Sequence, residues 1–371
     1  MIIRWGYKTL ATQKAATLAG IAGIAFSFLL ALFFAAVWKG EIEQIVAYPK
    51  KLDPDLWVMQ NGVANMHMAS SFIWDWKADA IKRMPEVEQV TGFLYINTVI
   101  QLKDSALFGF VVGLPEKDSR AGPWKISHGR NLQADDEIII PAPMRSIFHV
   151  PLGGLVRIVD RDYKVVGFSE GTYSSANPIF FVMQNQLEDS LSTSGMLSYL
   201  LIDAQPNVDI VALQQKITEK IEKVSVVTQS EFVSNDSNMA KQMGAETILI
   251  MTIICSVLAA LIVGYVSYTL TLKKKKEIAI IKAIGGKEEQ LVFVLLMQSI
   301  MLVFMAYFLA LMSLLLISAV MPWLAPQISM SISLSLMFVP AALILVIAII
   351  GSLYPAIKLV RLDPASAYSN G

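Results

Sequence analysis

The chain has 371 residues, of which 55% are apolar and only 16% charged, and its 30 Lys and Arg balance 30 Asp and Glu. That composition is too apolar for an ordinary soluble protein of this length and points to a membrane protein. A net charge of zero gives no ground for expecting a nucleic-acid partner.

Residues 1–14 carry Arg4, Lys8 and Lys14 and no acid, and residues 15–38 contain no charged side chain at all. The uncharged run exceeds the roughly 20 residues that cross a hydrocarbon core. It ends in bulky Val37 and Trp38 rather than a small-residue cleavage site, so it reads as a first transmembrane helix and not a signal peptide. Small residues recur on it every fourth position, at Ala15, Ala19, Gly23, Ser27, Ala31 and Ala35, a pattern that lets a neighbouring helix approach closely. Ala260 and Gly264 repeat it farther on. The partner helix could belong to the same subunit or to a second one.

Residues 39–244 read as an α+β extracytoplasmic domain. The runs at 55–59, 90–102, 106–113, 179–183 and 199–202 have strand character, while 71–84 and 208–223 have helical spacing. Between them, about 116–175 is rich in Gly, Pro and short β runs at 137–140, 155–159 and 163–168. The expectation is two strand-helix-strand parts separated by a small β-rich insert. From Ser230 the chain has no proline before residue 272, so a helix over 230–272 would be about 60 Å long, with 230–244 standing clear of the bilayer as a stalk.

Residues 245–272 are the second expected span, 291–320 the third and 335–357 the fourth. Met321-Pro322-Trp323-Leu324-Ala325-Pro326 suits an interfacial turn between the last two, within a short loop at 321–334. Orientation follows from Lys and Arg. The segments 1–14, 273–290 and 358–371 together hold eleven basic and four acidic residues, which assigns them to the cytoplasm. The large domain is then periplasmic and the chain a multi-pass inner-membrane protein. The single cysteine, Cys255, excludes an intrachain disulfide, so the outer domain must be held by its own core.

No catalytic or cofactor constellation emerges. The phosphate-binding pattern G-x-x-x-x-G-K-[ST] is absent, and Gly285-Gly286-Lys287 is followed by Glu288. His67, His128 and His149 lack metal-ligand spacing, and Met66-His67-Met68 is only a faint copper-like cluster. No charged residue sits in the middle of any span, which argues against an ion pathway.

The loop 273–290 is more informative. Four lysines, Lys273 to Lys276, precede Ile278, Ile281 and Ile284 at helical spacing, and Gly285-Gly286 follow where a helix would end. On physics alone this is either a basic helix lying on anionic lipid or a helix that docks on a protein.

Glu277-Ile278-Ala279-Ile280-Ile281-Lys282-Ala283-Ile284-Gly285-Gly286 resembles the E-I-(A/G)-(I/L)-x-(K/R)-A-(I/L)-G-(A/G) segment of the FtsX/MacB-type (type VII) ABC transporter permeases. Residues 4–23 look like that family's opening amphipathic helix and first span. Tyr354-Pro355-Ala356 with Arg361-Leu362-Asp363-Pro364-Ala365-Ser366-Ala367 looks like its ending, and Gly129-Arg130-Asn131-Leu132 with Val165-Val166-Gly167-Phe168 resembles its outer-domain stretch. The length is similar to the short, DevC-like members that lack a fused ATPase domain. The resemblance implies that Glu277, Ile278, Ala279, Ile281, Lys282, Ala283, Ile284, Gly285 and Gly286 form a coupling helix that docks on a separate cytosolic ABC ATPase subunit. It further implies a non-catalytic permease without cofactor or metal, paired with a second permease copy. A periplasmic adaptor and an outer-membrane channel are further partners it suggests. Within the family, an exporter or extruder worked by mechanotransmission fits a large outer domain. An FtsX-like regulator of a cell-wall hydrolase and a LolC/LolE-like lipoprotein extractor are the alternatives.

Overall fold

The computed structural model describes residues 14–67, 70–102, 105–115, 119–174, 178–242, 246–273 and 275–360. The expected amphipathic helix before residue 14 and the tail beyond 360 lie outside the described residues, as do Met68 and Lys274. The chain divides into two compact units, one of residues 1–39, 246–321 and 330–371, the other of residues 40–245 and 322–329.

Helices α1 (Lys14–Ile45) and α2 (Ala47–Leu52) open the chain. An α+β stretch follows: β1 (Leu56–Gln60), β2 (Ile73–Trp74), α3 (Trp76–Lys82), β3 (Val87–Leu102), β4 (Ser105–Leu114), β5 (Ile126–Gly129), β6 (Glu137–Pro141) and α4 (Pro143–Ile147). It continues through β7 (Leu155–Ile158), β8 (Arg161–Ser169), β9 (Ile179–Met183), α5 (Gln184–Leu191), β10 (Met196–Leu197), β11 (Tyr199–Ala204), α6 (Ile210–Lys220), β12 (Val224–Thr228) and α7 (Gln229–Ala240). Then come α8 (Glu246–Leu272), α9 (Lys275–Ala283), α10 (Glu288–Leu324) and α11 (Leu334–Val360).

Ten of the strands form one sheet in the order β12-β1-β11-β3-β4-β9-β6-β8-β5, with β7 joined to both β3 and β8. The double pairing of β7 closes β3, β4, β9, β6, β8 and β7 into a small barrel around a cluster that includes Ile96, Ile100, Val111, Ile138, Ile140, Val156, Ile158, Phe168 and Phe180. Segment 116–175 therefore does not stand apart as an insert. Its strands complete their hydrogen bonding on strands outside it, β7 on β3 and β6 on β9, because an open edge would leave backbone groups unpaired.

The other half of the sheet is covered on both faces. On one, Ile81 of α3 and Leu213 and Ile217 of α6 pack on Leu56, Val58, Leu200 and Ile202. Helix α6 starts where Asp209 accepts from the Val211 and Ala212 amides, a cap that stabilises by about 1 kcal/mol. On the other face, Phe232 of α7 stacks on Trp57 with ring centroids 4.0 Å apart, and the Trp57 Nε1–H donates to Gln229 Oε1 at 2.6 Å. Thr228 and Glu231 form a reciprocal capping box that starts α7.

Two sequence expectations need correction. Residues 71–75 are not helical: Ser71 Oγ accepts from the Gln60 amide and donates to the Ser198 carbonyl, and the Phe72 amide donates to Gln60 Oε1, which hold this stretch extended ahead of α3. The expected turn at 321–326 begins later, since α10 runs on to Leu324 with Pro322 inside it. In a last turn the missing proline N–H removes a single helical bond, and the chain turns instead at Ala325, whose carbonyl accepts from the Ile328 amide. Residues 90–102 belong to a single strand that starts at Val87.

In the helical unit, Ile21, Ile24, Ala25, Phe28 and Leu32 of α1 pack on Leu302, Val303, Ala306, Ala310 and Leu314 of α10. Over the described side chains, the stretches Thr17–Ile45 and Glu288–Leu324 are long and apolar enough to cross a membrane, and Glu246–Leu258 is a shorter apolar stretch. The join of the expected 230–272 helix, at residues 243–245, lies outside the described residues.

Candidate functional site

The short helix α9 lies between two long ones in sequence, and its end is set by local chemistry. Ile280 and Ile281 lead to Gly285 at φ +91°, where the Gly285 amide donates to Lys282 O at 3.0 Å and the Gly286 amide to Ile281 O at 2.9 Å. This is a Schellman termination, which needs a left-handed residue at Gly285. A Cβ on Gly286 would meet Ile281 Cγ2 at 2.7 Å, so both glycines serve the end of the helix.

The motif residues separate onto two faces. Ile278 and Ala279 are buried, Ile278 against Leu291 and Leu295 of α10 and Ala356 and Val360 of α11, with Ile281 half-buried beside them. Lys282 also turns inward: its Nζ donates to the Val360 carbonyl at 2.7 Å and pairs with Glu288 at 2.7 Å. Ala283 and Gly285 are exposed, Ile284 is 80% exposed and Ile280 50% exposed. Glu277 is half-buried, and its Oε2 is buried with no hydrogen-bond partner. The sequence pattern places Ile278, Ile281 and Ile284 on one stripe, but only Ile284 of the three projects outward, because α10 and α11 cover the other two. Ile280, four residues before Ile284, is the outward apolar residue that the sequence reading passes over. That i, i+4 relation was its signal.

The small-residue stripe on α1 is only partly used within this chain. Ser27 is buried and donates to Gly23 O at 2.9 Å, while Ala19 is exposed and a Cβ on Gly23 or on Gly264 of α8 would meet nothing within 4 Å. The side chains of Ala15 and Ala260 lie outside the described residues.

In the outer unit, His67 does not stand in a metal cluster: Nδ1 lies 2.8 Å from Asp236 Oδ1, which also accepts from the Met66 amide at 3.0 Å. No group of three or more His, Cys, Asp and Glu suited to a metal occurs among the described residues. The Gly129-Arg130 motif is a structural clasp. Gly129 has φ +86° and a Cβ there would lie 2.2 Å from Val166 O, while Arg130 forms a two-pronged ion pair with Glu137. The Glu137 carboxylate also accepts from the Gln133 and Ala134 amides, and with Arg130 as the main cause its pKa is lowered to about 2.

The description "MacB-like periplasmic core domain" matches residues 15–220, and "FtsX-like permease C-terminal" matches residues 249–364. The chain belongs to the FtsX/MacB-type ABC transporter permeases, a class of non-catalytic membrane subunits. It is 27% identical over 213 residues to the putative hemin transport system permease protein HrtB of Staphylococcus epidermidis, covering 57% of each chain. The match thus spans little more than half the length of that relative. An uncharacterized ABC transporter permease of Mycobacterium tuberculosis is 23% identical over 315 residues, 85% of this chain and 84% of its own. Among solved structures, the periplasmic region of MacB from Actinobacillus actinomycetemcomitans is similar with a TM-score of 0.36 and 14% identity, covering 47% of this chain and 89% of that one.

Proposed function

We propose that the chain is the transmembrane permease subunit of an ABC exporter or extruder, in which ATP-driven motion of a separate cytosolic ATPase becomes a conformational change of the periplasmic domain. The carrying observation is the outward face of α9: Ile280, Ala283 and Ile284 form an exposed apolar strip on a helix whose opposite face is buried against α10 and α11. A helix fixed on one side and apolar on the other can pass a push from a partner to the helices behind it. In this reading α1, α8, α10 and α11 all cross the inner membrane, both termini are cytoplasmic, and two copies pair through the small-residue positions Gly23 and Gly264. An adaptor and an outer-membrane channel complete the assembly where one exists.

An outer unit of about 200 residues with its own barrel favours export over the FtsX-like signalling role, which needs far less surface. The hemin named for the Staphylococcus relative is the first cargo to test. Replacing Ala283 with Trp, or Ile284 with Ser, is expected to weaken ATPase binding about tenfold or more without unfolding the chain, since both positions are exposed. Unchanged binding and unchanged transport in both variants would leave lipid contact as the better account of this helix.

A further inference from the structure

Two motifs far apart in the sequence meet at one atom pair, the Lys282 Nζ and the Val360 carbonyl, 78 residues apart and 2.7 Å from each other. In an α-helix the carbonyl of residue 360 accepts from the amide of residue 364. Residue 364 is proline, which has no amide hydrogen to give. A helix running on past Val360 could not satisfy that carbonyl from residue 364, and Val360 is 1% exposed, so water is a poor substitute. Lys282 supplies a charged donor in that place. Its ammonium also meets Glu288 in the first turn of α10 at 2.7 Å, where an acid suits the positive end of the helix. Just above the joint, fully buried Ala356 leaves room for Ile278, and a larger side chain there would push α9 away.

We propose that Lys282 is a positioning residue that clamps α9 to the end of α11, so that load applied to the outward face of α9 is delivered to α11. The joint rests on the docking role proposed for α9 only for its use, not for its existence. Helix α11 in turn packs along α8, which gives the load a route into the helix that leads to the outer unit in sequence.

The test uses the full chain in lipid nanodiscs. Lys282→Met keeps the length and apolar stem of the side chain but removes the donor, and hydrogen exchange at amides 276–284 is expected to rise about tenfold. Lys282→Arg, which retains a charged donor, should stay within about twofold of the parent. Glu288→Gln removes only the ion pair, on a carboxylate 52% exposed, and should change exchange little. Exchange unchanged in Lys282→Met, or raised as much by Glu288→Gln, overturns the clamp. Titration with the purified cytosolic ABC ATPase proposed as its partner then separates positioning from contact. Lys282→Met should lower the maximal stimulation of hydrolysis and leave the half-saturating concentration near its parent value, whereas Ile284→Ser should raise that concentration. An equal shift of half-saturation in both variants would make Lys282 a contact residue and overturn its positioning role. An unaffected Ile284→Ser would sink the docking reading while the exchange result still judges the clamp.

Discussion

Replacing Glu137 with Gln isolates one charge in the outer unit. The glutamate side chain is 9% exposed and bonded by Arg130 and two backbone amides, and its pKa falls from 4.5 to about 2. A shift of that size corresponds to about 3 kcal/mol of linkage, and because Arg130 is 43% exposed its attraction is screened, so about 2 kcal/mol is expected. Because the folded pKa is depressed, this stability is fully present above the unfolded value near 4.5 and is lost as pH falls toward about 2. Gln keeps one carbonyl acceptor for the amides but cannot take the two-pronged guanidinium bond as a charge. Urea unfolding of the detergent-purified chain, followed by far-ultraviolet circular dichroism of the β-rich unit, should show the variant less stable at pH 7. The gap should narrow steadily below pH about 4.5. A gap of the same size at pH 3 as at pH 7 would show that the loss comes from packing and not from the carboxylate charge.

The purified chain alone should hydrolyse no ATP, since no phosphate-binding loop is present, and robust nucleotide-specific turnover free of contaminants would contradict this. Gly285→Ala should destabilise the end of α9 by about 1 kcal/mol because of its left-handed backbone, read as faster hydrogen exchange over 281–286; no change there would mean that the turn relaxes freely. Inserting Gly-Pro after Asn238, inside α7, should abolish transport while ATPase binding survives, at a local cost of about 3 kcal/mol. Normal transport by that variant would defeat the mechanical reading. Single cysteines at 230–242 in a Cys255→Ala background should crosslink two copies with a helical period, and absence of any crosslink with or without nucleotide would remove the paired arrangement.

Much of this protein is legible locally. Charge-free runs announce long helices because no polar side chain interrupts them, and strands such as 137–141 and 179–183 read directly from β-branched and aromatic residues flanked by turn signals. Gly285-Gly286 announces a helix end because its bonds reach back only three to five residues. Strand β12 at 224–228 escaped because a sequence window shows its valines but not the β1 partner that pairs with them. The start of α3 was misplaced since the bonds that extend 71–72 come from Gln60 and Ser198, 11 and 127 residues away.

The sequence by itself determined the membrane class, the order of the long helices, the helical loop at 273–290 and the absence of a nucleotide-binding loop, all of which depend on composition or on neighbours within a turn or two. Only the tertiary structure decided that 116–175 completes a barrel with β3 and β4, that His67 is held by Asp236, and that Lys282 reaches the Val360 carbonyl. Each of those depends on groups brought together across tens to hundreds of residues. A helical repeat identifies the stripe a side chain lies on, but which stripe is covered depends on the helices that pack against it, and for α9 those are α10 and α11.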